Sequence, residues 1–184
     1  HGIMGGHRWS KNEPEMNQMS RKTNGNKCGM YKVLFVCTGN TCRSPMAEAF
    51  FNLIARKNGL PMRAISAGLS VSADEVSKYA IKAAAKYGVD LSPHRPRPVM
   101  DELINEVDLV LTMTEHHKER ICERFPSARG KTEALLSFVG ERGDIDDPFG
   151  GSLEEYRECA RRLWEAVNRV VAHLAREGEG DHAR

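Results

Sequence analysis

Hydrophobic and polar positions fall in alternating blocks along this chain, and the blocks predict alternating strands and helices. Val33-Leu34-Phe35-Val36 is a short uninterrupted apolar run, the pattern of a strand buried on both faces of a parallel sheet. It ends in the loop Cys37-Thr38-Gly39-Asn40-Thr41-Cys42-Arg43. Ser44-Pro45 then predicts a helix start, a capping hydroxyl followed by proline at the first helical position. Ala47, Phe50, Phe51 and Ile54 continue as the apolar stripe of that helix, and Gly59 stops it. Met62 to Ser66 predicts a second strand, and Val76, Tyr79, Ala83 and Tyr87 mark a second helix closed by Gly88. Val107 to Met113 is a third apolar run, followed by a polar helix from about Thr114 to Arg124. Glu133 to Leu136 predicts a fourth strand. After Phe149-Gly150-Gly151, Ser152 and Glu155 form a capping box. Leu153, Tyr156, Cys159, Leu163, Val167, Val170 and Leu174 then line one face of a long helix.

Strands alternating with helices predict a three-layer α/β/α domain with a four-stranded parallel sheet and right-handed crossovers. The expected domain runs over residues 30–176. Residues 1–29 are rich in Gly, Asn, Lys and Met with almost no aliphatic content, and read as a disordered or cloning-derived lead. Residues 177–184 read as a frayed tail. In a fold of this kind ligands bind beyond the carboxyl ends of the strands, at a switch point in strand order. The cysteine-bearing loop lies at such an end.

The 184 residues have the length of one domain. The formal charge of +2 divides unevenly: five basic and two acidic side chains in residues 1–29 leave the rest of the chain near neutral. No concentrated basic face points to nucleic acid, and no apolar run approaches the length of a membrane span. Five cysteines at irregular spacing, Cys28, Cys37, Cys42, Cys122 and Cys159, are not a disulfide framework, so a reducing cytoplasm is expected.

Three effects fit the loop to an anionic tetrahedral ligand. Backbone N–H groups of a tight Gly-containing loop form an anion nest. The following helix adds unsatisfied N–H groups and the positive end of its dipole. Arg43 can give two parallel charge-assisted hydrogen bonds to phosphate oxygens. The same surroundings favour the thiolate of Cys37 as a nucleophile, with Ser44 placed to donate a hydrogen bond to that sulfur. The ordinary alternative for Cys37 is a buried structural thiol. A thiolate cannot protonate a leaving group, and Asp147, aimed by Pro148, is the candidate general acid and then base. Asp144 and Asp146 compete for that role, and an ordinary Asp-Pro turn is the plain alternative.

Val33 to Phe50, VLFVCTGNTCRSPMAEAF, resembles the phosphate loop of the low-molecular-weight protein tyrosine phosphatases. The resemblance extends through Ser66-Ala67-Gly68, Leu91-Ser92-Pro93-His94-Arg95, Asp108 to Met113 and Asp147-Pro148-Phe149-Gly150, roughly Met30 to Arg176. It implies a flavodoxin-like doubly wound fold and a phosphocysteine intermediate. By it Cys37 is the nucleophile, Arg43 the phosphate clamp and Asp147 the general acid. Thr38, Gly39, Asn40, Thr41, Cys42, Ser44 and Phe149 surround the substrate, while Ser66 and His94 support the loop together with Asn40. Thr41 stands where tyrosine-specific members commonly carry a bulky aliphatic, and so resembles the bacterial protein-arginine-phosphatase branch. A hydroxyl there can accept from a guanidinium N–H that an aliphatic wall would leave unpaired. Thr41 as neutral variation is the alternative. Phosphorylated proteins are the implied substrates, with a protein-arginine kinase in a bacterial stress response as the opposing partner. Neither nucleic acid, nor membrane, nor any metal or organic cofactor is implied.

Cys42, five residues from Cys37, is placed to trap an oxidised Cys37 as a disulfide. Three rival readings remain beside the arginine phosphatase. One is a tyrosine phosphatase of the same family. Another is a thioredoxin-coupled arsenate reductase, which needs a further close cysteine pair; Cys122 and Cys159 are far apart in sequence and both read as helical and apolar-facing. The last is a silent phosphoprotein-binding module, which commonly lacks the nucleophile or the acid. Glu115-His116-His117 reads as a solvated helix face, because adjacent helical residues point about 100° apart.

Overall fold

The computed structural model describes residues 29–183, with side chains through Gly178. The expected lead over residues 1–29 therefore lies, Gly29 apart, outside the described residues, and so does Cys28. Strand β1 (Tyr31–Cys37) leads through a loop to helix α1 (Arg43–Lys57), strand β2 (Met62–Gly68) and helix α2 (Lys78–Ala85). A short helix α3 (Asp101–Glu106) precedes strand β3 (Leu109–Thr112). Helix α4 (Glu115–Arg124), a 3-10 turn over Pro126–Ala128, strand β4 (Thr132–Ala134), short helix α5 (Leu135–Phe138) and helix α6 (Leu153–Ala183) follow. The four strands are parallel in the order β2-β1-β3-β4. β1 is thus central, and the chain winds outward from it in both directions.

The continuous apolar run of β1 is explained by its two faces, since successive strand side chains point to opposite sides. Val33 and Phe35 belong to a core shared with Met46 and Phe50 of α1, Ala80 of α2, and Leu163 and Val167 of α6. Leu34 and Val36 belong to the other core, with Ile104 of α3, Val107, and Ile121 of α4. The three expected layers follow. On the first face Trp164 stacks on Tyr87 at 4.9 Å and meets Phe50 edge-on at 5.2 Å, tying α1, the end of α2 and α6 together.

Local differences from the sequence reading have specific causes. Helix α1 starts at Arg43 with Cys42 as its N-cap, so Ser44 lies inside the first turn and its hydroxyl serves the loop instead of capping. Val76 is buried ahead of α2, but Tyr79 is 41% exposed and packs edge-on to Tyr156 rather than entering the core. The fourth strand is only Thr132–Ala134, because Leu135 and Leu136 turn into α5 to reach the core. The capping box holds: Ser152 N–H donates to Glu155 Oε1 at 2.8 Å and Glu155 N–H to Ser152 Oγ at 3.2 Å. The backbone of α6 is helical past Arg176, where the tail was expected to start, to Ala183. His117, expected on a solvated face, is 5% exposed. It shares the buried side of α4 with Ile121, one turn on.

Candidate active site

β1 ends at the sheet's switch point, between outward-running β2 and β3, and delivers Cys37 to the loop that becomes the N-terminus of α1. Cys37 Sγ lies 2.9 Å from Ser44 Oγ and accepts from Asn40 N–H at 3.3 Å. Asn40 is left-handed, φ 57°, the one such non-glycine among the described residues, and asparagine is among the side chains that tolerate that region best. Its amide is fully used. Oδ1 accepts from Arg97 N–H at 3.0 Å and from His94 Nε2 at 3.0 Å. Nδ2 donates to Ser44 Oγ at 2.8 Å and to Ser66 Oγ at 3.0 Å.

The Arg97 amide fixes which end of the Asn40 side chain accepts, and the rest follows by donor counting. Ser66, having accepted from Asn40, donates onward to Glu48 Oε1 at 2.6 Å. Ser44, having accepted likewise, has its own proton free for Cys37 Sγ. Ser44 therefore donates to the sulfur, which suits a thiolate. His94 carries its proton on Nε2, and burial, Arg97 and Arg95 lower its pKa. Burial raises the Glu48 carboxyl above the usual range, against the pull of Ser66 and Arg97.

Arg43 is 4% exposed and donates to the Ile145 carbonyl at 2.9 Å. Its other terminal nitrogen is 3.4 Å from Asp147 Oδ2. The arginine thus ties the loop of Asp147 to the loop of Cys37. Of the three aspartates in competition, Asp144 accepts from Glu115 N–H at 2.9 Å, at the start of α4. Asp146 lines a separate cavity with Cys159 and Arg162. Asp147 borders that cavity too, and of the three it is the one that also lines the cleft holding Cys37.

A cleft of about 230 Å³ opens above the loop, lined by Cys37, Thr38, Gly39, Thr41, Cys42 and Arg43 and, opposite, by Asp147 and Phe149. Phe149 is 82% exposed. The Thr41 hydroxyl has no partner among the described residues. Asn40 and Ser44, grouped with the substrate contacts in the sequence reading, are fully buried; their side chains join Ser66 and His94 in the network beneath. Sequence reasoning missed Ser70, Ser72, Ala73 and Tyr156, which complete the cleft wall, and Glu48, Arg97 and His117 behind it. Ser70 sits two residues past β2, and its N–H donates to the Thr38 carbonyl at 2.8 Å; no motif marks it. His117 Nε2 lies 2.9 Å from Thr38 Oγ1.

Cys42 is buried beside Cys159, whose Sγ donates to the Asp146 carbonyl at 3.9 Å; Cys159 first, then burial, push the Cys42 thiol well above the ordinary value. Cys37, Cys42, Cys122 and Cys159 are all free thiols. Far apart in sequence, Cys159 of α6 nonetheless meets the phosphate loop, while Cys122 on α4 is half-buried.

Residues 32–180 match the family described as low molecular weight phosphotyrosine protein phosphatase. A protein-arginine-phosphatase of Geobacillus stearothermophilus is 42% identical over 149 residues, spanning 80% of this chain and 98% of that protein. One of Bacillus subtilis is 40% identical over 147 residues, spanning 79% and 97%. The arginine phosphatase YwlE, solved as a cysteine-to-serine mutant with its active-site serine phosphorylated, superposes with a TM-score of 0.75 at 39% identity. That match covers 78% of this chain and 95% of that one. The chain belongs to the low molecular weight phosphotyrosine protein phosphatase family.

Proposed function

We propose that this phosphatase hydrolyses phosphoarginine in proteins through a phosphocysteine intermediate, with Cys37 as nucleophile, Arg43 as phosphate clamp and Asp147 as general acid and base. The observation that carries the chemistry is Cys37 Sγ held between the Ser44 hydroxyl at 2.9 Å and the Asn40 N–H at 3.3 Å, beside Arg43. In the first step the thiolate attacks phosphorus in line. The S–P bond forms, the P–N bond breaks, and Asp147 gives its proton to the departing guanidino nitrogen. In the second step Asp147 takes a proton from water as that water attacks phosphorus. Inorganic phosphate forms and the S–P bond breaks, the Ser44 O–H stabilising the sulfur that leaves. Thr38, Gly39, Thr41 and Cys42 wall the cleft, and loop N–H groups and Arg43 meet the transition-state charge.

Two observations support arginine over tyrosine. The Thr41 hydroxyl is free to accept from a guanidinium N–H, and the 40–42% identical relatives carry the arginine-phosphatase name. The exposed Phe149 ring at the cleft mouth supports the tyrosine alternative, since it offers an apolar face to an aryl group. Phosphorylated proteins are then the substrates, and a protein-arginine kinase is the activity that must supply them. No described helix is long and apolar enough to cross a membrane. A thiolate nucleophile also suits the reducing cytoplasm. The test compares kcat/KM on matched phosphoarginine and phosphotyrosine peptides for the wild type and Thr41→Ile. The wild type should prefer phosphoarginine, and Thr41→Ile should lose about 10- to 100-fold on that substrate, the effect of one unpaired buried donor. A wild-type preference for phosphotyrosine overturns the arginine assignment.

A further inference from the structure

We propose that His117 is a positioning residue for this reaction, fixing Thr38 as a hydrogen-bond donor to the phosphoryl group of the bound substrate; the inference rests on the phosphatase reading of the Cys37 loop. His117 comes from α4, on the opposite side of the loop from the Asn40 network. It is 5% exposed, and its Nε2 lies 2.9 Å from Thr38 Oγ1. Its backbone is fixed as well: Thr114 caps α4 by accepting from His117 N–H at 3.0 Å. Thr38 directly follows Cys37, is exposed, and lines the cleft.

The direction of the His117–Thr38 bond follows from the other ring nitrogen. His117 Nδ1 is buried with no partner. Burial first, then Arg43 and His116, push the imidazole pKa down to about 4, so the neutral ring holds one N–H. If Thr38 donated to Nε2, that N–H would sit on Nδ1, buried and unpaired. If Nε2–H donates to Thr38, Nδ1 is left with only a bare lone pair. Orphaned buried N–H groups are the rarer and costlier case. Nε2–H therefore donates, and Thr38 Oγ1 accepts. The Thr38 hydroxyl proton is turned away from the ring, with no acceptor among the described residues. A hydroxyl one residue from the nucleophile, in the cleft and with a free proton, meets the phosphoryl oxygens when substrate binds. His117 touches no reacting atom; it removes the alternative in which Thr38 donates into the protein.

The test reads competitive inhibition by inorganic phosphate, a probe without leaving group or peptide, during hydrolysis of an aryl phosphate. Thr38→Val removes the donor, His117→Phe removes its orientation, and His117→Gln keeps an N–H near the Nε2 position. Thr38→Val and His117→Phe should each raise the phosphate Ki about 10-fold or more, the range of a hydrogen bond to a charged group. The double variant should be no weaker than Thr38→Val, and His117→Gln should stay within about twofold of wild type. A purely packing role for His117 would leave Ki unmoved or make Gln and Phe equivalent, and either result overturns the proposal. So do single effects that multiply in the double variant, or an unchanged Ki in Thr38→Val, which decides the matter even if His117→Phe does not fold. A wild type that neither hydrolyses the aryl phosphate nor binds phosphate would overturn the phosphatase reading itself.

Discussion

Asn40 commits two donors and two acceptor positions to four different partners, and that saturation is what lets a left-handed asparagine hold the loop around Cys37. Asp147 is the contrast, half-exposed and tied only to Arg43 and to the Phe149 N–H at 3.1 Å among the described residues, which leaves its carboxyl open to solvent as the role proposed for it requires. Asp147→Asn should lower kcat on a phosphoarginine peptide by about 10²- to 10⁴-fold. The loss of the first step should be smaller on p-nitrophenyl phosphate, whose leaving group departs without a proton. Single-turnover kinetics on both substrates check this, and equal first-step losses would remove Asp147 from the acid role. At the sulfurs, a hydroperoxide oxidises the Cys37 thiolate to a sulfenic acid with release of water or alcohol. The Cys42 thiol then condenses with it, losing water and forming the disulfide. Because the neighbouring Cys159 and burial push the Cys42 thiol above its ordinary value, this trapping should quicken as pH rises and quicken at fixed pH in Cys159→Ala. Mass spectrometry of disulfide against sulfinic acid after a peroxide pulse reads the competition. Slower trapping in Cys159→Ala would mean that Cys159 assists Cys42.

The loop's shape is fixed by elements as much as by its own residues, and the end of β2 is the nearest. A Cβ placed on Gly68 would stand 2.7 Å from the Thr38 carbonyl oxygen and 3.0 Å from Asn40 N, both backbone atoms. Gly68→Ala must therefore displace the phosphate loop, since neither neighbour is a flexible side chain. The expected cost is about 1–3 kcal/mol of stability. Activity should fall further, on the order of 100-fold in kcat/KM, because a small misplacement near the reacting groups is costly. Thermal unfolding and kinetics measured on the same preparation check it, and unchanged kinetics would show that the loop tolerates the push. Gly68 also shows what was legible. Ser66-Ala67-Gly68 was recognisable as a motif, but the reason for its glycine lies in a strand-to-loop approach that no local pattern encodes. β1, α1, β3 and α6 were readable because their apolar periodicity is long and unbroken. α3 and α5 are one-turn or two-turn helices whose formation is decided by packing, and the run Glu133 to Leu136 had too few residues to separate strand from helix.

Across the whole molecule, the candidate site was legible where the proposed chemistry demands a residue type, as at Cys37, Arg43 and Asp147, which the fold brings to one cleft, and illegible where it demands only proximity. His117 reads as one of two surface histidines until α4 packs on the sheet and turns it toward Thr38. The fold thereby brings two neutral histidines against the phosphate loop, His94 on Asn40 from one side and His117 on Thr38 from the other. Both have folded-state pKa values below that of a free histidine, His117 at about 4. Between that value and the unfolded value near 6.5 the unfolded chain binds more protons than the native one, so stability must fall as pH drops through this window and level off below it. The His117 share is on the order of 3 kcal/mol across the full shift. Glu48 opposes it, since a carboxyl raised by burial gains native stability on protonation, and the net slope is smaller than the histidines alone would give. His117→Gln keeps a hydrogen-bond donor for Thr38 but cannot titrate. Urea unfolding at pH 7.5 and pH 5 should therefore show a clear loss for wild type and a smaller one for His117→Gln. Equal losses would place the acid sensitivity elsewhere, in His94 or in the exposed ion pairs of α6.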